Sequence, residues 1–361
     1  MPQESISTVG HLSLLTTTPD DVTGTTVGSD PWSTITFYVQ WAVIAITLVG
    51  AAANGLVLHA LIATGQFKKR VLIVNQNALD LASCLIILAT YITKLSRIYL
   101  TGSLGHYLCM IILSEALVWC SGSGSIINLA VITVERYLKV VHHVWSKKTL
   151  RKWMIYLAGI FSWIGGIVSS FGAVIPTTRV VDGSCYSVYF WKSPAAKMAY
   201  GIWYFLFFYV IIIMIFIYCY WRILSVIRRQ ARVMADHGGP GPSTAQTQSQ
   251  RIQSNVIKTM IIVSAFFAVT WAPIDIYYLI MMLGSDMSLL QSGYYAALFI
   301  SILYVTTNPF IYAVKFEPVR RYLLGLIHCN KVSTQPEENS ISVKSRVPPP
   351  PSASAAPRPR D

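Results

Sequence analysis

Residues 37–64 read FYVQWAVIAITLVGAAANGLVLHALIAT, a stretch without one Asp, Glu, Lys or Arg. A helix that crosses a bilayer needs roughly 20 mainly apolar residues, and this run supplies them. Further apolar runs follow at 71–94, 107–140, 151–175, 198–227, 256–283 and 290–314. Inside lipid a backbone must satisfy its own hydrogen bonds, so each run is expected to be a helix. The expected fold class is therefore an all-α membrane protein, a seven-transmembrane helix bundle. Composition agrees. Of the 361 residues, 54% are hydrophobic and only 12% charged, against about 25% charged in soluble domains. The chain has no Gly-rich phosphate loop, Cys-x-x-Cys pair or His-Glu-x-x-His helix, so the reading is not an enzyme and requires no metal.

The net charge of +13 would suit a nucleic-acid binder, but its distribution argues against one. Alternate loops and span ends hold Lys68, Lys69, Arg70, Arg136, Lys139, Lys147, Lys148, Arg151, Lys152, Arg222, Arg228, Arg229, Arg232, Arg251, Lys258, Lys315, Arg320 and Arg321. The opposite set holds Lys94, Arg97, Arg179, Lys192 and Lys197. A bias of eighteen to five places the N-terminus outside and the C-terminus in the cytoplasm, because basic loops stay inside. Met1 to Asp30 lacks the basic start and apolar core of a cleaved signal peptide. The first span is then expected to act as a signal anchor, which makes the chain a multi-pass protein of the plasma membrane. No nucleic-acid partner is expected.

Charged groups inside a membrane span are costly and mark function by default. Asp80, Glu115, Glu135 and Asp275 lie in or at the ends of spans, with Arg136 beside them. Several stand in short motifs: Asn54 in AAANGLV, Asp80 in NQNALDLAS, Glu135-Arg136-Tyr137, Trp163, Phe267 before Trp271-Ala272-Pro273, and Asn308-Pro309-Phe310-Ile311-Tyr312. Taken in order, each on its own span, these residues resemble the rhodopsin-like (class A) G-protein-coupled receptor family from residue 37 to about 328.

The resemblance implies a division of the chain. Residues 1–36 form an extracellular tail and 37–314 the bundle. Residues 315–328 form a short amphipathic eighth helix, and 329–361 a disordered cytoplasmic tail. It also implies roles. Glu135, Arg136 and Tyr137 couple to a heterotrimeric G protein, while Phe267, Trp271, Pro273, Asn308, Pro309 and Tyr312 switch between states. Trp163 reads first as a packing residue. Asn54, Ser125 and Asn308 are partners for Asp80, and a sodium ion near Asp80 is the cofactor that the family commonly holds there. Tyr304, where a small polar residue is frequent, is a departure. Cys109 and Cys185 fall on one side of the membrane, and the family joins them by a disulfide. Cys109 lies 27 residues before Arg136, two more than usual, so a bulge or extra half-turn is expected. Cys84, Cys120 and Cys219 read as packing residues. Cys329 suits palmitoylation on the inner face.

The ligand is expected between the outer halves of the spans. Val118 stands where amine receptors carry an Asp, and Glu115 reads as too near the outer end to serve. A non-amine ligand, a peptide first, is therefore expected, with amine or lipid receptors of the same fold as the alternative. Ile302 stands where visual pigments have a Lys, so retinal is excluded as a covalent cofactor. Pocket candidates are Glu115, Val118, Trp203, Asp275, Tyr278 and Tyr295. Asp275 has two readings: a partner for a basic ligand group, or an internal hydrogen bond to Tyr204 or Tyr278.

Two more expectations concern the inner end. No acid lies between Asp236 and Asp275, so Arg136 has only Glu135 as an acidic partner, with Gln253 at the position where relatives carry another acid. The resting state is thus weakly latched. The usual Pro of span five is missing, at Val210 or Ile212 according to whether Tyr218 or Tyr220 is the inward tyrosine. Receptor kinase and arrestin are expected partners through the tail serines, and membrane lipid surrounds the bundle. A transporter would want inverted repeats, and none is visible. A non-signalling scaffold or decoy would be expected to lose the Glu-Arg-Tyr or Asn-Pro motifs, and both are present.

Overall fold

The computed structural model describes residues 31–188, 190–236, 244–284, 291–315 and 317–329. Among the described residues seven helices are long and apolar enough to cross a membrane: Ile35–Ala63, Val71–Leu95, Gly102–Val141, Lys152–Thr177, Pro194–Gln230, Asn255–Met282 and Gly293–Lys315. They are called spans one to seven below. The described residues up to Leu323 form one compact unit, and those from Leu324 belong to a second. A helix runs over Glu317–Cys329. The tails before Pro31 and after Cys329, to which the outer-tail and cytoplasmic-tail expectations belong, lie outside the described residues. So do the side chains of Gln253 and Cys329.

Lipid gives helices no hydrophobic drive to associate, so close approach of backbones matters instead. Spans three and four show this best. A β-carbon added to Gly166 would lie 2.3 Å from the Cys120 carbonyl oxygen and 2.9 Å from the Gly124 nitrogen. Span one meets span seven in the same way, since a β-carbon on Gly50 would lie 2.6 Å from the Thr306 methyl. The centre is filled by large side chains. Phe267, Tyr304, Tyr312, Leu79, Leu129 and Ile132 are all fully buried.

Two spans depart from regular α-helix. Span three has a π turn at Cys109–Leu113, where the Ser114 N–H donates to the Cys109 carbonyl at 2.9 Å. Glu115 follows in the left-handed region, φ 62°. The wide turn and the break absorb the two surplus residues between Cys109 and Arg136. Span five has a second π turn at Leu206–Val210, formed without the missing proline. Tyr220 is its inward tyrosine, buried, while Tyr218 is 52% exposed. The absent proline therefore belongs at Ile212.

An all-helical reading omits one feature. Arg179–Val181 and Ser184–Tyr186 pair as an antiparallel hairpin, with Val180 opposite Cys185. Asp182 and Gly183 close it with φ of 49° and 73°, the positive pair that a two-residue hairpin turn requires. Cys185 bonds to Cys109 with a Cα–Cα distance of 5.4 Å, which ties the hairpin to the start of span three. Cys84, Cys120 and Cys219 are free thiols within spans.

Candidate functional site

At the disulfide end a small cavity of about 40 Å³ opens between spans two, three, six and seven. Its floor is Trp271 and Gly122, and its walls include Val118, Trp119, Ile87, Ile302 and Glu115. Lining is almost wholly apolar. Glu115, a pocket candidate from the sequence, stands at the left-handed break after the wide turn and lines the cavity. It does not face the cavity alone. Lys94 Nζ forms an ion pair with Glu115 Oε1, and Tyr294 Oη donates to Glu115 Oε2 at 3.3 Å. Lys94 also lies 5.0 Å from the Tyr91 ring centroid. Spans two, three and seven thus meet in one paired charge.

The other pocket candidates separate. Trp203 is 39% exposed and stacks along the surface of span five with Tyr200 and Phe207, each at 5.6 Å. It is not a cavity residue, because the helical register turns it outward. Tyr278 packs against Trp119 at 5.6 Å and Tyr204 at 5.5 Å. Tyr295 packs on Tyr294 at 5.4 Å. Asp275 is buried at 3% exposure and does not line the cavity. Its Oδ2 has no hydrogen-bond partner among the described residues. The Tyr204 hydroxyl pairs instead with Ser123 at 3.2 Å.

Below Trp271 lies a polar network in the middle of the bundle. Asp80 Oδ1 accepts from Ser125 Oγ at 2.7 Å and Gln76 Nε2 at 3.2 Å. Its Oδ2 accepts from Asn308 Nδ2 at 2.9 Å. Asn54 is not among the donors. Its amide donates to the carbonyls of Gly50 and Val305, both at 3.0 Å, because it stands where span seven's backbone approaches. Gln76 is the partner that sequence reasoning missed, although NQN at 75–77 placed three amides in an apolar span. Asn54 Oδ1 and Asn308 Oδ1 are buried without a hydrogen-bond partner among the described residues, so the network keeps oxygen lone pairs of the kind that a sodium ion takes.

At the opposite end Glu135 is shared. Its Oε2 lies 3.4 Å from Arg136 Nη2, and its Oε1 pairs with Lys139, one turn on. Burial, with the Arg136 guanidinium nearby, pulls the neighbouring Arg70 guanidinium down to about 10. One carboxylate thus sits among three cations. The Tyr137 hydroxyl pairs with His142 at 3.1 Å. Tyr220, also unforeseen in its role, links spans three, five and six by pairing with Thr133 and Ser264, both at 3.0 Å. Tyr312 is buried, and Pro273 and Pro309 lie inside their helices.

Residues 53–312 match the family model described as 7 transmembrane receptor (rhodopsin family). The chain belongs to that family. It is a rhodopsin-like G-protein-coupled receptor, with a signalling fold and no enzyme activity of its family's own. Among curated relatives, the galanin receptor type 1 of Mus musculus is 24% identical over 85% of this chain and 86% of that protein. The melatonin receptor type 1A of Gallus gallus is 28% identical over 68% and 67%. The neuropeptide FF receptor 1 of Rattus norvegicus is 25% identical over 56% and 50%. The crystal structure of squid rhodopsin superposes with a TM-score of 0.67 at 16% identity, over 84% of this chain and 89% of that one. That likeness bears on the fold.

Proposed function

We propose that this receptor lies in the plasma membrane with its disulfide end outside, and that it answers a non-amine ligand, a peptide in the first instance. One observation carries the reading. Glu115, the acid nearest the cavity on span three, is already paired with Lys94. A ligand ammonium would have to displace that partner and leave Lys94 buried without one, which costs about 3–5 kcal/mol when a buried pair is broken. The apolar walls suit a side chain or ring that brings no charge of its own. Galanin and neuropeptide FF receptors among the relatives support a peptide, and melatonin receptors a compact neutral molecule.

The mechanism is a population shift between two bundle arrangements. A ligand that fits the active cavity better biases Trp271 and the Pro273 pivot. The inner end of span six then moves, the Tyr220–Ser264 bond yields, and Arg136 on span three leaves Glu135 for the C-terminal helix of a Gα subunit. The two sites lie at opposite ends, so coupling is reciprocal. Receptor kinase and arrestin act through Ser333, Thr334, Ser340, Ser342, Ser345, Ser352 and Ser354, and a palmitoyl group on Cys329 holds the last helix to lipid.

The test is a panel of monoamines, lipids and peptides, applied to cells that express the chain with a promiscuous Gα. Peptides or neutral compounds are expected to raise second messenger, and monoamines are not. A monoamine that activates through Glu115, with loss in Glu115→Gln, overturns the reading.

A further inference from the structure

The few polar groups that line the cavity over Trp271 are mostly able to accept only. Ser83 Oγ gives its proton to the Leu79 carbonyl at 2.9 Å, and Ser301 Oγ to the Leu298 carbonyl at 2.7 Å. Both serines line the cavity, and each keeps lone pairs but no proton for a guest. Glu115 lines it too. A carboxylate has about four accepting positions, and Lys94 and Tyr294 take one each. The floor supplies the opposite polarity. Trp271 is only 6% exposed, and its Nε1, a donor without accepting capacity, has no partner among the described residues. A buried donor left without an acceptor is costly, so the floor has a use for an incoming oxygen. Charge, by contrast, is already balanced, because Lys94 and Glu115 cancel. A ligand ammonium would bring a surplus positive charge, and a ligand carboxylate a surplus negative one beside Glu115. Either would be a buried charge without a partner.

Resting on the non-amine reading above, we infer that the group that enters this cavity is a primary carboxamide, either the amidated end of a peptide or an Asn or Gln side chain. A primary carboxamide is neutral, with two protons to give and a carbonyl oxygen to receive one. The protons match the acceptors of Glu115 and the two serines, and the oxygen matches Trp271 Nε1. A ketone or ester has no proton to give, and a hydroxyl has one. The cavity, about 40 Å³, has room for a few non-hydrogen atoms, the size of an end group. An oxygen on Trp271 Nε1 also touches the residue that floors the cavity and begins the pivot, so recognition and switching share one contact.

The experiment is thermal unfolding of the purified full-length receptor with propionamide, butanone, propionate or propylammonium, each at about 50 mM and one ionic strength. The four probes share a shape and differ in the end group. Propionamide is expected to raise the melting temperature by about 2–4 °C, saturably, as a weak ligand at roughly five times its Kd gives, and the other three are not. Trp271→Phe keeps a ring on the floor and removes the donor, and Ser301→Ala removes an acceptor. Each is expected to weaken propionamide about five- to tenfold, which leaves less than about half of the rise. Either variant serves where the other does not fold. No rise with propionamide, an equal rise with butanone or propionate, or an undiminished rise in both variants overturns the carboxamide and leaves the non-amine reading standing. A rise with propylammonium overturns that reading and the carboxamide with it. Each peptide that activates the receptor is then compared as amide and as free acid. Activity of the amide alone assigns the terminus, and activity of both forms assigns an Asn or Gln side chain. An active free acid that contains neither residue overturns the proposal.

Discussion

The indole of Trp271 lies directly over Gly122, with its Cη2 atom 2.9 Å from the point where a β-carbon on Gly122 would sit. The contact closes the cavity floor and sets how far the indole can descend. Trp271 also packs on Phe267 at 6.0 Å and Tyr304 at 6.4 Å, so it has little room to yield. Gly122→Ala is expected to push the indole out of this arrangement, in which Arg136 is paired. Ligand-independent signalling should rise about twofold or more at unchanged surface expression, as an over-packing strain of roughly 1 kcal/mol would give. Basal second messenger at matched receptor density checks this, and an unchanged level counts against Trp271 as the pivot.

The Lys94–Glu115 pair predicts a characteristic non-additivity. Lys94→Met and Glu115→Gln each leave a buried partner unmatched, and each is expected to lower stability by about 3–5 kcal/mol. The double variant should lose much less than the sum, since neither charge remains. Thermal melting of all four receptors gives the cycle. Additive losses would show that the two side chains do not depend on each other.

The disulfide between Cys109 and Cys185 holds the hairpin at the cavity end. Cys185→Ala is expected to reduce surface expression and lower the melting temperature. The comparable loss in a small secreted domain is about 2–5 kcal/mol. Unchanged melting would mean that the hairpin adds nothing to the fold.

Gly166→Ala tests the close approach of spans three and four. The three atoms that the new methyl would meet are all backbone, the nearest at 2.3 Å, so no side chain can move aside. A loss of about 1–3 kcal/mol or more is expected, and thermal melting reads it. Wild-type stability would show that the helices can part freely here.

The bundle was legible because its signal is physical and coarse: apolar length and internal hydrogen bonding. The buried Asp80 was legible too, since charge in lipid demands partners, and the family resemblance supplied Ser125 and Asn308. Geometry finer than a helical period was not. Nothing in Leu113-Ser114-Glu115 announces a left-handed residue, so the break at Glu115 went unread. Trp203 was assigned inward, although a helix rotated by the π turn of span five turns it out. Other features had signals that went unread. Asp182-Gly183 between valine and serine is a hairpin turn signature, and Glu135 with Lys139 has the spacing of a helical ion pair. Gln76 stood in plain view beside Asp80, one turn away.

Lys139 bears on the latch. It competes with Arg136 for Glu135 from a partly exposed position, where such a pair contributes about 0.3–0.5 kcal/mol. Lys139→Met should return the carboxylate to Arg136 and lower basal signalling about twofold. A higher basal signal would mean that Lys139 supports the resting state.

The most direct test is ligand-independent nucleotide exchange on Gα by receptors at matched surface density, wild type against Arg136→Ala. A weakly latched receptor that couples through Arg136 predicts exchange clearly above background in wild type and background exchange in the variant. Exchange by Arg136→Ala equal to that of wild type, or a wild type no faster than membranes without receptor, would contradict the account.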